Sequence, residues 1–211
     1  MAIKVKVCGV TCIEDAMACV EAGVDALGLN FYEPSPRYLT GDRAAEITRH
    51  LPPFVARVGL FVNATEDTVR SVIERTGINT LQFHGDESPE FCSRFAPLKI
   101  IKAFRVKGPE TLRELARYDV DALLLDSYRA GIHGGTGESF NWELARQAKD
   151  EGKPIILAGG LNPENVAEGI HETWPYAVDV ASGVEREKGH KDADLVRRFI
   201  EIVRQVETQI R

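Results

Sequence analysis

Short runs of β-branched and aliphatic residues alternate along this chain with stretches of helical periodicity. The strand pattern falls at Lys4–Cys8, Ala26–Phe31, Arg57–Val62, Thr80–His84, Ile100–Arg105, Ala122–Asp126, Ile155–Ala158 and Val178–Ala181. Each run leads through a loop rich in Gly, Asn, Ser or Pro into a helical pattern. Capping chemistry marks several helix starts. Thr11 with Glu14 reads as a capping box, and Asn162-Pro163 puts a capping side chain before a proline at the first helical position. Asn141 and Asp192 open two more helices in the same way. Eight βα units spaced roughly 25 residues apart predict an α/β fold, a single (βα)8 TIM barrel forming one domain over 1–211. The competing open, doubly wound sheet usually has five or six strands.

A closed barrel decides which way each side chain points. Strand positions under the helices must be apolar, so Val5 and Val7 face outward, while Lys4, Lys6 and Cys8 face the barrel axis. Cys8 comes last, at the C-terminal mouth where barrel enzymes keep their active sites. Asp126 ends the sixth strand at the same mouth, after Ala-Leu-Leu-Leu, as either a loop cap or an acid. His84 ends the fourth strand on the inward face it shares with Gln82, where it contacts a ligand or is held structurally by hydrogen bonds.

Three loops at that mouth are rich in glycine: Gly134-Gly135-Thr136-Gly137 after strand six, Ala158-Gly159-Gly160-Leu161 after strand seven, and Ser182-Gly183 after strand eight. Glycines let backbone N–H groups approach an anion, and the loops after strands seven and eight often bind phosphate in barrels of this kind. Gly135, Gly159, Gly160, Ser182 and Gly183 are therefore candidate phosphate-binding positions. Arg37, in Ser35-Pro36-Arg37-Tyr38, sits in a stiffened loop where its guanidinium could hold a carboxylate bidentately.

Composition narrows the partners. A chain of 211 residues that is 44% hydrophobic can bury a substantial core. A formal net charge of −6 argues against a nucleic-acid or anionic membrane surface, so attraction for an anionic ligand must be local. No apolar run is long enough to span a bilayer, and a soluble, cytoplasmic protein is expected. Cys8, Cys12, Cys19 and Cys92 match no disulfide framework and read as reduced thiols. Cys8 and Cys12 have a four-residue spacing that occurs in zinc sites, but a second ligand pair is missing nearby, so no metal is expected.

With those residues laid out, the chain resembles the phosphoribosylanthranilate isomerases of tryptophan biosynthesis. The resemblance is carried in order by "KVCGVT" (Lys6–Thr11), "SPRY" (Ser35–Tyr38), "GLFVN" (Gly59–Asn63) and "LQFHG" (Leu81–Gly85). It continues through "LLLDS" (Leu123–Ser127), "GGTGESFNW" (Gly134–Trp142), "LAGGLNPENV" (Leu157–Val166) and "VDVASGVE" (Val178–Glu185). Asn141 departs from the family, which usually has aspartate there. The resemblance implies a cofactor-free Amadori rearrangement of N-(5′-phosphoribosyl)anthranilate to 1-(2-carboxyphenylamino)-1-deoxyribulose 5-phosphate. It implies Asp126 as general acid at the furanose oxygen, Cys8 as general base at C2′, Arg37 on the anthranilate carboxylate and the glycine loops on phosphate.

Three alternatives stand beside it. A non-catalytic phosphosugar-binding barrel would lack the acid or the base, and both are present. An epimerase would want several metal-ligating His and Asp residues at strand ends, where only His84 and Asp126 offer themselves. Acceptance of a second, doubly phosphorylated aminoaldose would want another anion site, and no equally strong glycine loop follows strands three or four. The expected partner is a small phosphosugar–anthranilate substrate, and the protein is expected as monomer or homodimer.

Overall fold

The computed structural model describes residues 2–106, 108, 110–126 and 142–209. Eight parallel strands close into one barrel: β1 (Lys4–Cys8), β2 (Ala26–Asn30), β3 (Ala56–Phe61), β4 (Thr80–Phe83), β5 (Lys99–Arg105), β6 (Ala122–Asp126), β7 (Ile155–Ala158) and β8 (Ala177–Val180). Each pairs with its sequence neighbours, and β1 closes the ring on β8 with Lys6 opposite Asp179. Helices α1 (Ile13–Glu21), α2 (Gly41–His50), α3 (Glu66–Thr76), α4 (Pro89–Ser93), α5 (Glu110–Leu115), α6 (Trp142–Gln147), α7 (Val166–Thr173) and α8 (Ala193–Gln209) alternate with them. A two-stranded hairpin, β9 (Glu185–Glu187) with β10 (His190–Lys191), interrupts the last connection.

Hydrophobic burial divides into two layers, as the sequence pattern requires. Val5 and Val7 are fully buried in the outer layer, which also takes the apolar stripe of α8. That stripe is Val196, Phe199, Ile200, Val203 and Val206, spaced to lie on one helical face. Truncating Phe199 to alanine would cost about 3–5 kcal/mol. The inner layer is a smaller cluster of Val58, Ile101, Ala103, Ala122, Leu124, Ile156, Ala158 and Ala177. These fill the bore and leave the C-terminal mouth to polar groups.

Of the expected helix starts, Asp192 matches the structure, whereas α7 begins at Val166 with Asn165 at its cap, beyond the expected first helical position at Pro163. Asn162 Oδ1 accepts from the N–H groups of Glu164 and Asn165, at 2.8 and 3.2 Å, in the turn that leads into α7. Asp192 Oδ1 does the same for Asp194 and Leu195, at 3.0 Å each, at the start of α8. The capping box at Thr11 and Glu14 is not formed. The helix begins one residue later with Cys12 at the cap, and Thr11 Oγ1 instead donates to the Gly189 carbonyl at 2.5 Å. A tertiary bond to the β9–β10 hairpin has taken the hydroxyl that local propensity would assign to capping. Asn141 lies outside the described residues.

Candidate active site

β1 delivers its inward residues at three heights. Lys4, lowest, reaches out of the bore to bond Asp25 at 2.8 Å at the solvent-facing bottom. Lys6 is buried and donates to Asp179 Oδ1 at 2.9 Å, so β1 and β8 are joined across their seam by an ion pair. Cys8 sits above it, buried near the rim. Burial disfavours the ammonium of Lys6, but Asp179 and Cys8 beside it outweigh that and keep it charged above its ordinary range. Burial pushes the Asp179 carboxyl up, against the pull of Lys6.

Burial likewise raises the Cys8 thiol above its usual value. Lys6 pulls it back down, Asp179 pushes it up, and Lys191 adds a smaller pull downward. Lys6 therefore favours the thiolate, yet burial is the larger effect.

Asp179 feels the charges of Lys6, His84 and Asp126, so the strand ends of β1, β4, β6 and β8 share one electrostatic network. His84 Nε2 lies 3.2 Å from Asp126 Oδ2. The other ring nitrogen, Nδ1, is 3.3 Å from Gln82 Nε2. When the Gln82 amide donates to Nδ1, the ring proton sits on Nε2 and points at Asp126. Gln82 Oε1 is buried without a hydrogen-bond partner among the described residues. A cleft of about 530 Å³ opens beside this group, sharing His84 and lined also by Asn63, Lys102, Arg105 and Tyr118. It lies to one side of the Cys8–Asp179 seam.

The loops after β7 and β8 meet at the same mouth. Gly159 and Gly160 both have positive φ, at 91° and 67°. Gly183 sits so close to the β7 loop that a side chain there would begin 1.9 Å from the Leu161 carbonyl oxygen. Only glycine permits this approach, which brings Ser182 and Gly183 against the loop of Gly159 and Gly160. Gly135 and its neighbours lie outside the described residues.

Arg37 comes to the mouth already committed on one edge. Its Nε and Nη2 donate to the two carboxylate oxygens of Glu185 at 2.7 and 2.6 Å. Glu185 also accepts from Lys191 Nζ at 2.9 Å. Burial works against the charged form of Glu185, but Arg37 and Lys191 hold its carboxyl below the usual range. Neither Glu185 nor Lys191, in "EREKGHKDAD", is singled out as a site residue by periodicity or spacing. Their long-range pairing leaves no periodic signature.

Among the described residues, Cys12 shares no group of three or more possible metal ligands with Cys8. It approaches Asp15 and His190 instead, with ligand atoms of the three within 4.8 Å of one another. Asp15 Oδ2 there already accepts the Lys191 backbone N–H at 2.7 Å.

A closed parallel barrel whose C-terminal mouth gathers a thiol, an ammonium, two carboxylates and an imidazole defines a (βα)8-barrel enzyme equipped for proton transfer. Residues 5–202 match the family model described as N-(5'phosphoribosyl)anthranilate (PRA) isomerase. The N-(5'-phosphoribosyl)anthranilate isomerase of Geobacter sp. (strain M21) is 54% identical over 197 residues, covering 93% of this chain and 96% of that one. The crystal structure of phosphoribosyl anthranilate isomerase from Thermotoga maritima superposes with a TM-score of 0.89 at 40% identity, covering 96% of this chain and 99% of that one. A second crystal structure of such an isomerase holds reduced 1-(o-carboxyphenylamino)-1-deoxyribulose 5-phosphate. It superposes with a TM-score of 0.87 at 38% identity, with 96% and 99% of the two chains covered. The chain belongs to the N-(5′-phosphoribosyl)anthranilate isomerase family.

Proposed function

We propose that this protein isomerises N-(5′-phosphoribosyl)anthranilate by acid–base catalysis between Asp126 and Cys8. The observation that supports the assignment of roles is that Cys8 ends β1 and Asp126 ends β6 at the same mouth, each interacting with the buried Asp179. Asp126 in its acid form gives a proton to the furanose ring oxygen. The C1′–O bond breaks as the anthranilate nitrogen forms a Schiff base to C1′. Cys8 thiolate then removes the C2′ proton, and the electron pair moves into the C1′–C2′ bond to give an enolamine. Tautomerisation carries the hydroxyl proton from O2′ to C1′ and leaves the ketone.

Each further group has a physical part in that sequence. Lys6 favours the thiolate at the moment of proton removal. His84, donating through Nε2, orients Asp126. Gly159, Gly160, Ser182 and Gly183 form the dipolar cradle for the 5′-phosphate, which suits an acidic chain that attracts its anion locally. Arg37 takes the anthranilate carboxylate. No described helix is long and apolar enough to cross a membrane. Four free thiols fit a reducing compartment, and we read the cytoplasm as the place of action.

Substrate generated in situ from anthranilate and phosphoribosyl pyrophosphate tests the reading. The purified protein is expected to quench the anthranilate-type fluorescence of the aminoaldose with saturable kinetics. Binding of the phosphosugar without decay of that fluorescence would overturn it in favour of a binding module.

A further inference from the structure

The Arg37–Glu185–Lys191 network is more elaborate than a surface ion pair. Lys191 is 1% exposed and its ammonium makes three bonds: to Glu185 Oε1 at 2.9 Å, the Cys8 carbonyl at 2.7 Å and the Ala181 carbonyl at 3.1 Å. Its own backbone N–H is held by Asp15 on α1. Thr11 of the first loop holds the Gly189 carbonyl of the same hairpin. The hairpin is thus sewn to the end of β1 on one side and to the start of the β8 loop on the other.

Glu185 is the centre of this arrangement, with its carboxylate 4% exposed. It grips Arg37 along the Nε–Nη2 edge by two bonds. A guanidinium carries five N–H donors in a rigid fork. With that edge taken, the Nη1–Nη2 edge is left to offer a second bidentate fork, and no hydrogen bond from it is found among the described residues. Charge balance matters equally. Lys191 offsets Glu185, so the Arg37–Glu185–Lys191 group keeps a net charge of about +1 at the mouth even though Arg37 is paired. Without Lys191, Glu185 would cancel the attraction that Arg37 is there to exert.

We propose that Glu185, backed by Lys191, is a positioning residue that fixes Arg37 as the selectivity element for an aryl carboxylate on the substrate. This rests on the reading of Arg37 as the carboxylate-binding group, and deepens it. Arg37 held only by solvent would lose rotamer freedom on binding; held by Glu185 it has already lost it.

The test compares two substrates: N-(5′-phosphoribosyl)anthranilate and the aniline analogue that lacks the carboxylate. Turnover is followed by product chromatography, with Arg37→Met, Glu185→Gln and the double variant beside wild type. Glu185→Gln is expected to raise KM for the carboxylated substrate about tenfold, to leave kcat within about threefold, and to erode discrimination between the substrates by a similar factor. In the Arg37→Met background the second substitution should add nothing, because its effect is transmitted through Arg37. Equal losses on both substrates, or effects that add in the double variant, would make Glu185 a structural brace only and overturn the proposal. Discrimination that survives in Arg37→Met would overturn the reading of Arg37 itself, and this proposal with it. If Glu185→Gln does not fold, Glu185→Asp keeps the charge beside Lys191 and shortens the grip on Arg37, and the same split decides.

Discussion

Replacing Lys6 by methionine probes the electrostatics of the proton transfer. Gly28 on β2 faces both groups: a side chain there would begin 2.7 Å from Cys8 Sγ and 3.1 Å from Lys6 Nζ. Lys6 Nζ and Cys8 Sγ therefore lie no more than about 6 Å apart, where a unit charge at an effective dielectric of about 20 is worth about 3 kcal/mol. The sign follows from the charge: removing a cation disfavours the thiolate, so Cys8 titrates higher. The uncompensated Asp179 pushes in the same direction unless it takes up a proton. The assay is the pH dependence of Cys8 alkylation, read by peptide mass spectrometry in a background where Cys12, Cys19 and Cys92 are alanine. The rising limb of kcat/KM against pH is followed in parallel. Both are expected to move up, with activity near neutral pH falling about a hundredfold, the equivalent of that interaction energy. A Cys8 titration that stays put or moves down would refute the role given to Lys6. Loss of one partner from the buried pair also costs about 3–5 kcal/mol of stability. The Lys6→Met/Asp179→Asn variant should recover most of that without recovering the thiolate.

Gly183→Ala forces a methyl against the Leu161 carbonyl, and is expected to raise KM for the phosphorylated substrate at least about tenfold, with a fall of a few degrees in Tm. Asp25, despite partial burial, is held below the usual carboxylate range by Lys4, the Val5 N–H and Arg204. The stability it contributes is present above the unfolded value near 4 and is lost as pH falls through the lower folded value, so Asp25→Asn should flatten the acid limb of denaturant-measured stability. Burial pushes the Cys19 thiol up to about 12. Its contribution is intact below the unfolded value near 8.5 and fades as pH rises toward 12, so Cys19→Ala should remove part of the alkaline loss. Native protein alkylated at pH 8 should stay unmodified at Cys19.

The strands were legible because barrel strands are short apolar runs bounded by turn residues, and the observed ends differ from the pattern by a residue or so at β2, β3, β4, β5 and β8. The outward-facing pair Val5 and Val7 followed from alternation once the barrel was in hand. Cys8, Asp126 and His84 were legible for a related reason: each closes or follows a strand at the mouth. What alternation does not carry is the partner of a side chain. Lys6 with Asp179, separated by 173 residues, and Arg37 with Glu185, separated by 148, are products of barrel closure. Thr11 shows the converse, a local capping signal overridden by a bond to Gly189 across the fold. Lys191 was the least legible of all, since a lysine in a charged loop ordinarily faces solvent.

The most direct test of the account runs wild type, Cys8→Ser and Asp126→Asn through the in-situ substrate assay under single-turnover conditions. Folding of each variant is checked by its thermal transition. Rapid decay is expected in wild type and a loss of about 10²–10⁴ in each variant, with Tm little changed for Asp126→Asn. Turnover that survives both substitutions in folded protein would contradict it, and would place the acid and the base elsewhere on the rim.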